Sequence, residues 1–152
     1  MFSAYARDLE PLKQRGAITV RGTGPVGTYQ INQSEVPSIA LSSSLDESVL
    51  GADAIFLTGP VLKQRTYAMV LGGHLTDGQV VVIAPGRTLG AVETAWYLRV
   101  GGNSSAISIV ELQSLPFWVQ DRDGLLYLTR QDLFPQQFYP VVIQVCYVHL
   151  PL

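Results

Sequence analysis

Four short features carry residue types and spacings suited to holding a ligand. Gly22-Thr23-Gly24-Pro25-Val26-Gly27 fits G-x-G-x-x-G, a pattern whose glycines let a backbone approach a pyrophosphate. That chemistry also needs a helix directly after the third glycine, aiming its N-terminal N–H groups at the phosphates. The residues that follow, Thr28-Tyr29-Gln30-Ile31-Asn32, are β-prone and soon meet Pro37, and Pro25 removes an N–H from the loop itself. A glycine-rich hairpin turn is the reading this segment supports.

The second segment, Pro85-Gly86-Arg87-Thr88, lies between an apolar run and a helical pattern. Arg87 at a helix start would join a fixed positive charge to the helix dipole, which suits a phosphate or carboxylate. The alternative is a surface arginine paired with Glu93 or Glu111. Gly86 has no side chain, so a ligand can come close to its backbone, and Thr88 is either a ligand contact or a plain helix N-cap. The third feature is Glu111 at the end of a buried strand, whose carboxylate either meets a ligand or accepts local backbone hydrogen bonds. Thr58-Gly59-Pro60 holds the equivalent place after an earlier apolar strand.

Other constellations are weaker. Asp121-Arg122-Asp123-Gly124 lacks the later ligands and bidentate glutamate of a calcium loop, and reads as a polar hairpin tip. Cys146 has no neighbouring acid or histidine to activate it and reads as a packed thiol. His74 and His149 read as structural or exposed, and Trp96, Trp118 and Tyr127 as hydrophobic. No catalytic residue and no metal ligand is assigned.

The elements that must position these segments follow from periodicity. Helical and strand signals alternate, which predicts an α/β domain with a mainly parallel sheet. A short helix over 6–15 stops at Gly16, and the β-branched runs 17–20 and 28–31 flank the glycines as a hairpin. Ser38 to Leu41 reads as a strand, and Ser44-Leu45-Asp46-Glu47 as a capping box opening a helix that ends near Gly51. Strands are predicted at 54–57, 79–84 and 107–110, with helices at 61–75 and 88–100 between them. The inner faces are expected to be Leu62, Val70, Leu71 and Leu75 on the first helix and Leu89, Val92, Trp96 and Val100 on the second. Asp123-Gly124 predicts a second hairpin, and Tyr139 to Leu150 is a β-prone tail.

Composition bounds the function. With 152 residues, 47% apolar, 14% charged and a net charge of -2, the chain has room for one well-filled domain and lacks the basic footprint of a nucleic-acid binder. No run reaches the roughly 20 apolar residues of a membrane span, and one cysteine forms no internal disulfide, so a soluble cytoplasmic protein is expected.

The stretch from Gly51 to Phe117 is more specific. Asp77-Gly78-Gln79, Pro85-Gly86-Arg87-Thr88 and Gly90-Ala91-Val92-Glu93 together closely resemble the Asp-Gly-Gln, Pro-Gly-Arg-Thr and Gly-Ala-x-Glu pattern of the octopine and nopaline dehydrogenases, the opine dehydrogenase family. Glu111-Leu112-Gln113-Ser114-Leu115-Pro116 resembles that family's Glu-x-Gln-Thr-Leu-Pro, with Ser114 for threonine. Ala52 to Pro60 looks like the fourth strand and loop of a Rossmann domain, and Leu9 to Gly22 is similar to the helix, Gly-Gly-Ile and strand after the second strand, with Ala17 for a glycine.

The resemblance implies an oxidoreductase that takes hydride from NADH or NADPH to reduce the imine of a 2-oxo acid and an amino acid. It implies a cofactor, NAD or NADP, across the C-terminal sheet edge, with Thr58, Gly59, Pro60, Pro85, Gly86, Arg87, Thr88 and Glu111 as cofactor-binding residues. It also implies incompleteness: residues 1–152 are expected to form one partial Rossmann-like domain, family-like over 6–118 and β-rich over 119–152. Met1 to Tyr5 is at most the end of a second strand, so the phosphate turn, the central strand and the helical catalytic domain are expected to be missing. Strand 54–57 would then have an unpaired edge, to be filled by the tail 139–150 or to drive self-association. The expectation is therefore an inactive fragment with weak or lost cofactor binding; the alternative is a non-catalytic Rossmann remnant acting as an interaction or oligomerisation module.

Overall fold

A computed structural model describes residues 1–23, 26–32, 38–86, 88–112, 117–122, 125–130 and 143–144. Along the chain these form α1 (Ala6–Arg15), β1 (Ala17–Gly22), β2 (Gly27–Ile31), β3 (Ser38–Ile39), α2 (Leu45–Val49), β4 (Ala54–Leu57), α3 (Val61–Leu71), β5 (Val80–Ile83), α4 (Gly90–Val100), β6 (Ser108–Leu112), β7 (Phe117–Arg122), β8 (Leu125–Arg130) and β9 (Ile143–Gln144). The chain divides into two compact units, Met1–Ser48 with Pro116–Pro135 and Val49–Leu115 with Gln136–Leu152.

The first unit holds a sheet in the order β3-β2-β1-β8-β7. Its β1 and β2 pair antiparallel from Ala17↔Gln30 to Val20↔Gly27, so the residues after Gly27 enter a ladder and no helix is available to face a phosphate. The G-x-G-x-x-G letters are a hairpin connection, as their β-prone sequel predicts; Gly24 and Pro25 at its tip lie outside the described residues. β7 and β8 pair antiparallel from Phe117↔Arg130 to Arg122↔Leu125, the predicted second hairpin, and β8 lies parallel to β1; Asp123 and Gly124 are outside the described residues. Asp121 accepts from Arg15 at 3.4 Å. Leu9 of α1 packs with Ile31 and Leu41, and Leu12, Ile18 and Ile39 close over them. Half of the expected capping box forms on α2: the Glu47 N–H donates to Ser44 Oγ at 3.4 Å, but the Ser44 N–H goes to Ser42 Oγ at 2.9 Å, and the Glu47 carboxylate accepts from that Ser42 hydroxyl at 2.7 Å.

The second unit holds the order β4-β5-β6-β9. β4, β5 and β6 are parallel, joined by α3 and α4, the crossover arrangement that parallel pairing demands. The end of β5 away from the site is fixed by the Asp-Gly-Gln segment. Gln79, only 6% exposed, donates to the carbonyls of Ala52 at 2.8 Å and Val49 at 3.3 Å and accepts the Thr76 N–H at 2.9 Å. Asp77 accepts from the Ala106 N–H at 2.8 Å. Gln79 replaces water at buried and half-buried backbone groups, the usual condition for a polar residue inside a fold, while the Asp77 contact lies at the exposed surface.

Two expectations about faces are overturned. α4 turns Leu89, Val92, Trp96 and Val100 outward, Trp96 being 68% exposed, and buries Ala91, Thr94, Ala95 and Leu98 instead. On α3, Leu62 and Val70 are exposed while Leu71 is buried as predicted; Leu75 is buried too, but beyond the helix, which ends at Leu71 and is followed by a 3-10 turn over Gly72–His74. The reason is the closeness of α3 to α4. A Cβ on Gly72 would strike the carbonyl oxygen of Leu98, and one on Gly101 the carbonyl oxygen of Met69, so the helix ends meet backbone to backbone. At those two points only glycine fits, and the stripe carrying Trp96 turns out while the one carrying Ala91, Ala95 and Leu98 packs inward.

Of the tail 139–150 expected to fill the free edge of strand 54–57, only 143–144 lie among the described residues, and these are found elsewhere. They form β9 and pair antiparallel with β6 (Glu111↔Gln144, Leu112↔Ile143), at the edge opposite β4. Among the described residues no strand pairs with the free side of β4, and Phe56 there is 61% exposed. Among the described residues no helix is long and apolar enough to cross a membrane.

Candidate functional site

In the second unit, Leu57, Ile83 and Glu111 are paired neighbours across β4, β5 and β6, so the segments following them emerge side by side at the C-terminal edge of the parallel strands. In parallel α/β sheets this edge is where ligands bind. Thr58, Gly59 and Pro60 follow β4, and Pro85, Gly86 and Thr88 follow β5. Thr58, Pro60 and Thr88 are exposed; Gly59, Pro85, Gly86 and Glu111 are half-buried. Arg87 lies outside the described residues, as do Cys146 and His149. The sheet continues past its strands, because the Ala84 N–H donates to the Leu57 carbonyl at 3.1 Å and the Gly86 N–H to the Leu112 carbonyl at 2.7 Å. The Ala84–Pro85 peptide is cis.

Two side chains hold these loops. Gln64 of α3 is 6% exposed, and its Nε2 donates to the carbonyls of Gly59 at 3.3 Å and Pro85 at 3.2 Å, tying the β4 and β5 loops to one amide. The sequence does not single it out, since Gln64 stands in the polar run Lys63-Gln64-Arg65-Thr66. The other is Glu111, whose Oε2 accepts the Ala91 N–H in the first turn of α4 at 2.8 Å. α4 has Leu89 at its N-cap with φ 63° and no side-chain cap bond of its own, so the carboxylate from β6 serves one of the orphan donors there. Thr88 precedes that N-cap and does not fill it.

The room above Gly86 is used by the protein itself. A Cβ placed on Gly86 would collide with the Cγ and carboxylate of Glu111, and one on Gly90 would come within 3.1 Å of Oε1. Of the two carboxylates available to Arg87 in its plain surface reading, Glu93 pairs with Arg65 Nε at 2.8 Å and Glu111 faces α4. The edge thus offers an exposed hydroxyl at Thr58, another at Thr88, a glycine-lined floor and one carboxylate already engaged by backbone.

No family model matches the chain. It is 30% identical over 112 residues to the opine dehydrogenase of Arthrobacter sp. (strain 1C), a match covering 74% of this chain and 29% of that protein. In fold it is similar to octopine dehydrogenase in complex with NADH and agmatine, with a TM-score of 0.65 at 16% identity over 85% of this chain and 32% of that one. A second octopine dehydrogenase structure, with NADH and L-arginine, gives 0.64 at 15% identity over 86% of this chain and 32% of that one. The resemblance to the opine dehydrogenases therefore holds, and the α/β, Rossmann-like fold is shared. The chain spans less than a third of the relatives it matches.

Proposed function

We propose that the chain is the nicotinamide-facing part of an opine dehydrogenase-like oxidoreductase, using NADH or NADPH in the reductive condensation of a 2-oxo acid with an amino acid. The observation that carries this reading is the convergence of Thr58-Gly59-Pro60, Pro85-Gly86, Thr88 and Glu111 at one parallel-sheet edge, in the segment most like the opine dehydrogenases. The residues fit one end of a dinucleotide. The half-buried backbone of Gly59 and Gly86, with the hydroxyls of Thr58 and Thr88, suits an uncharged ribose and carboxamide, whereas among the described residues the only G-x-G-x-x-G letters sit in a hairpin. When bound, the cofactor supplies hydride. This chain's residues would seat it: Gln64 keeps the two loops at a fixed separation, and Arg87 offers charge to a phosphate or substrate carboxylate.

Titration of NADH and NADPH into the purified chain tests the reading, with saturable binding that Arg87→Ala weakens as the expected result. Absence of binding at millimolar cofactor would remove it. A second reading, a non-catalytic interaction module, is favoured by the outward apolar residues Phe56, Trp96 and Val100. It predicts association without cofactor affinity.

A further inference from the structure

Glu111 occupies a position that α/β sites commonly leave to a ligand. The first turn of an 11-residue helix carries unsatisfied N–H groups and the positive end of the dipole, and it attracts anions. Here that place is taken from within. Glu111 reaches across from the neighbouring strand, accepts the Ala91 N–H at 2.8 Å, and lies against the backbones of both Gly86 and Gly90. These are independent signs of one arrangement: a hydrogen bond at the helix start, and two glycines, four residues apart, whose missing side chains leave space for the same carboxylate. The loop 86–90 is therefore clasped at both ends by one side chain, with Arg87 and Thr88 between the clasped points.

We infer that Glu111 is a positioning residue, an internal anion that fixes the β5–α4 loop and closes the α4 N-terminus to ligand phosphates and carboxylates. The inference does not depend on cofactor binding and is tested without it.

The test is amide hydrogen exchange on the full chain, read at Ala91, with the Asn103 N–H, bonded to the Leu98 carbonyl at 2.9 Å, as the report on the fold. Losing a charge-assisted bond should speed exchange at Ala91 by about tenfold or more in Glu111→Ala while Asn103 is unchanged. Formate, the smallest carboxylate, should restore protection in Glu111→Ala, chloride at equal ionic strength should not, and neither should alter the native chain. Glu111→Gln, which keeps an acceptor oxygen, should retain most of the protection. Gly86→Ala should lose protection with Glu111 still present, because its Cβ expels the carboxylate. Unchanged Ala91 exchange in both Glu111→Ala and Gly86→Ala would overturn the inference, as would equal rescue by chloride. An NADH titration of the same proteins separates the two proposals: a native chain without cofactor affinity ends the functional reading and leaves the exchange result standing.

Discussion

Gln79 and Gln64 are neutral and nearly buried, each donates to two backbone carbonyls, and Gln79 also accepts the Thr76 N–H, so their removal leaves backbone groups without a partner. Gln79→Ala should lower stability by roughly 2 to 3 kcal/mol, at about 1 kcal/mol for each lost bond, measured by urea unfolding. Gln64→Leu should cost about 1 to 2 kcal/mol and also raise the Kd for NADH, because the carbonyls of Gly59 and Pro85 lose their shared donor. Loss of stability in Gln64→Leu with unaltered NADH affinity would show that the tie matters to folding alone. The sequence announced Arg87, Gly86 and Glu111 by type and motif, yet gave Glu111 two open roles. Which it takes depends on the distance between a strand end and a helix start, a tertiary quantity no local pattern encodes.

Helix α4 shows the same limit among elements. Its sequence carries two stripes at helical spacing, Leu89-Val92-Trp96-Val100 and Ala91-Thr94-Ala95-Leu98, and hydrophobicity favours the wrong one. The glycines at 72 and 101 decide it, since they allow a crossing too tight for tryptophan or valine. Gly101→Ala should therefore destabilise the chain by about 1 to 3 kcal/mol, an overpacking cost read from the unfolding midpoint. Trp96→Lys, on the outward face, should change stability by no more than about 0.5 kcal/mol. A loss of several times that would place Trp96 back in a core. Where one physical cause governs, as in the β-prone sequel of the glycine hairpin or the Ser44 cap, the elements appear where periodicity and capping put them.

For the molecule as a whole, each unit supplies its own sheet, and the likeness to opine dehydrogenase spans 29% of that relative's length. Phe56 on the edge strand β4 and the outward stripe of α4 are exposed large apolar side chains, the kind of surface that associates. Sedimentation velocity should show mass rising with concentration, and Phe56→Lys or Trp96→Lys should reduce it; a strictly monomeric native chain would remove the interaction-module reading.

The clasp of Glu111 on Gly86 and Gly90 also constrains how such a chain can change over generations. A mutation at either glycine finds its space taken, while shortening position 111 leaves a void and a bare helix start, so each single step is penalised. Only paired changes pass, and across divergent relatives positions 86, 90 and 111 should vary together or not at all.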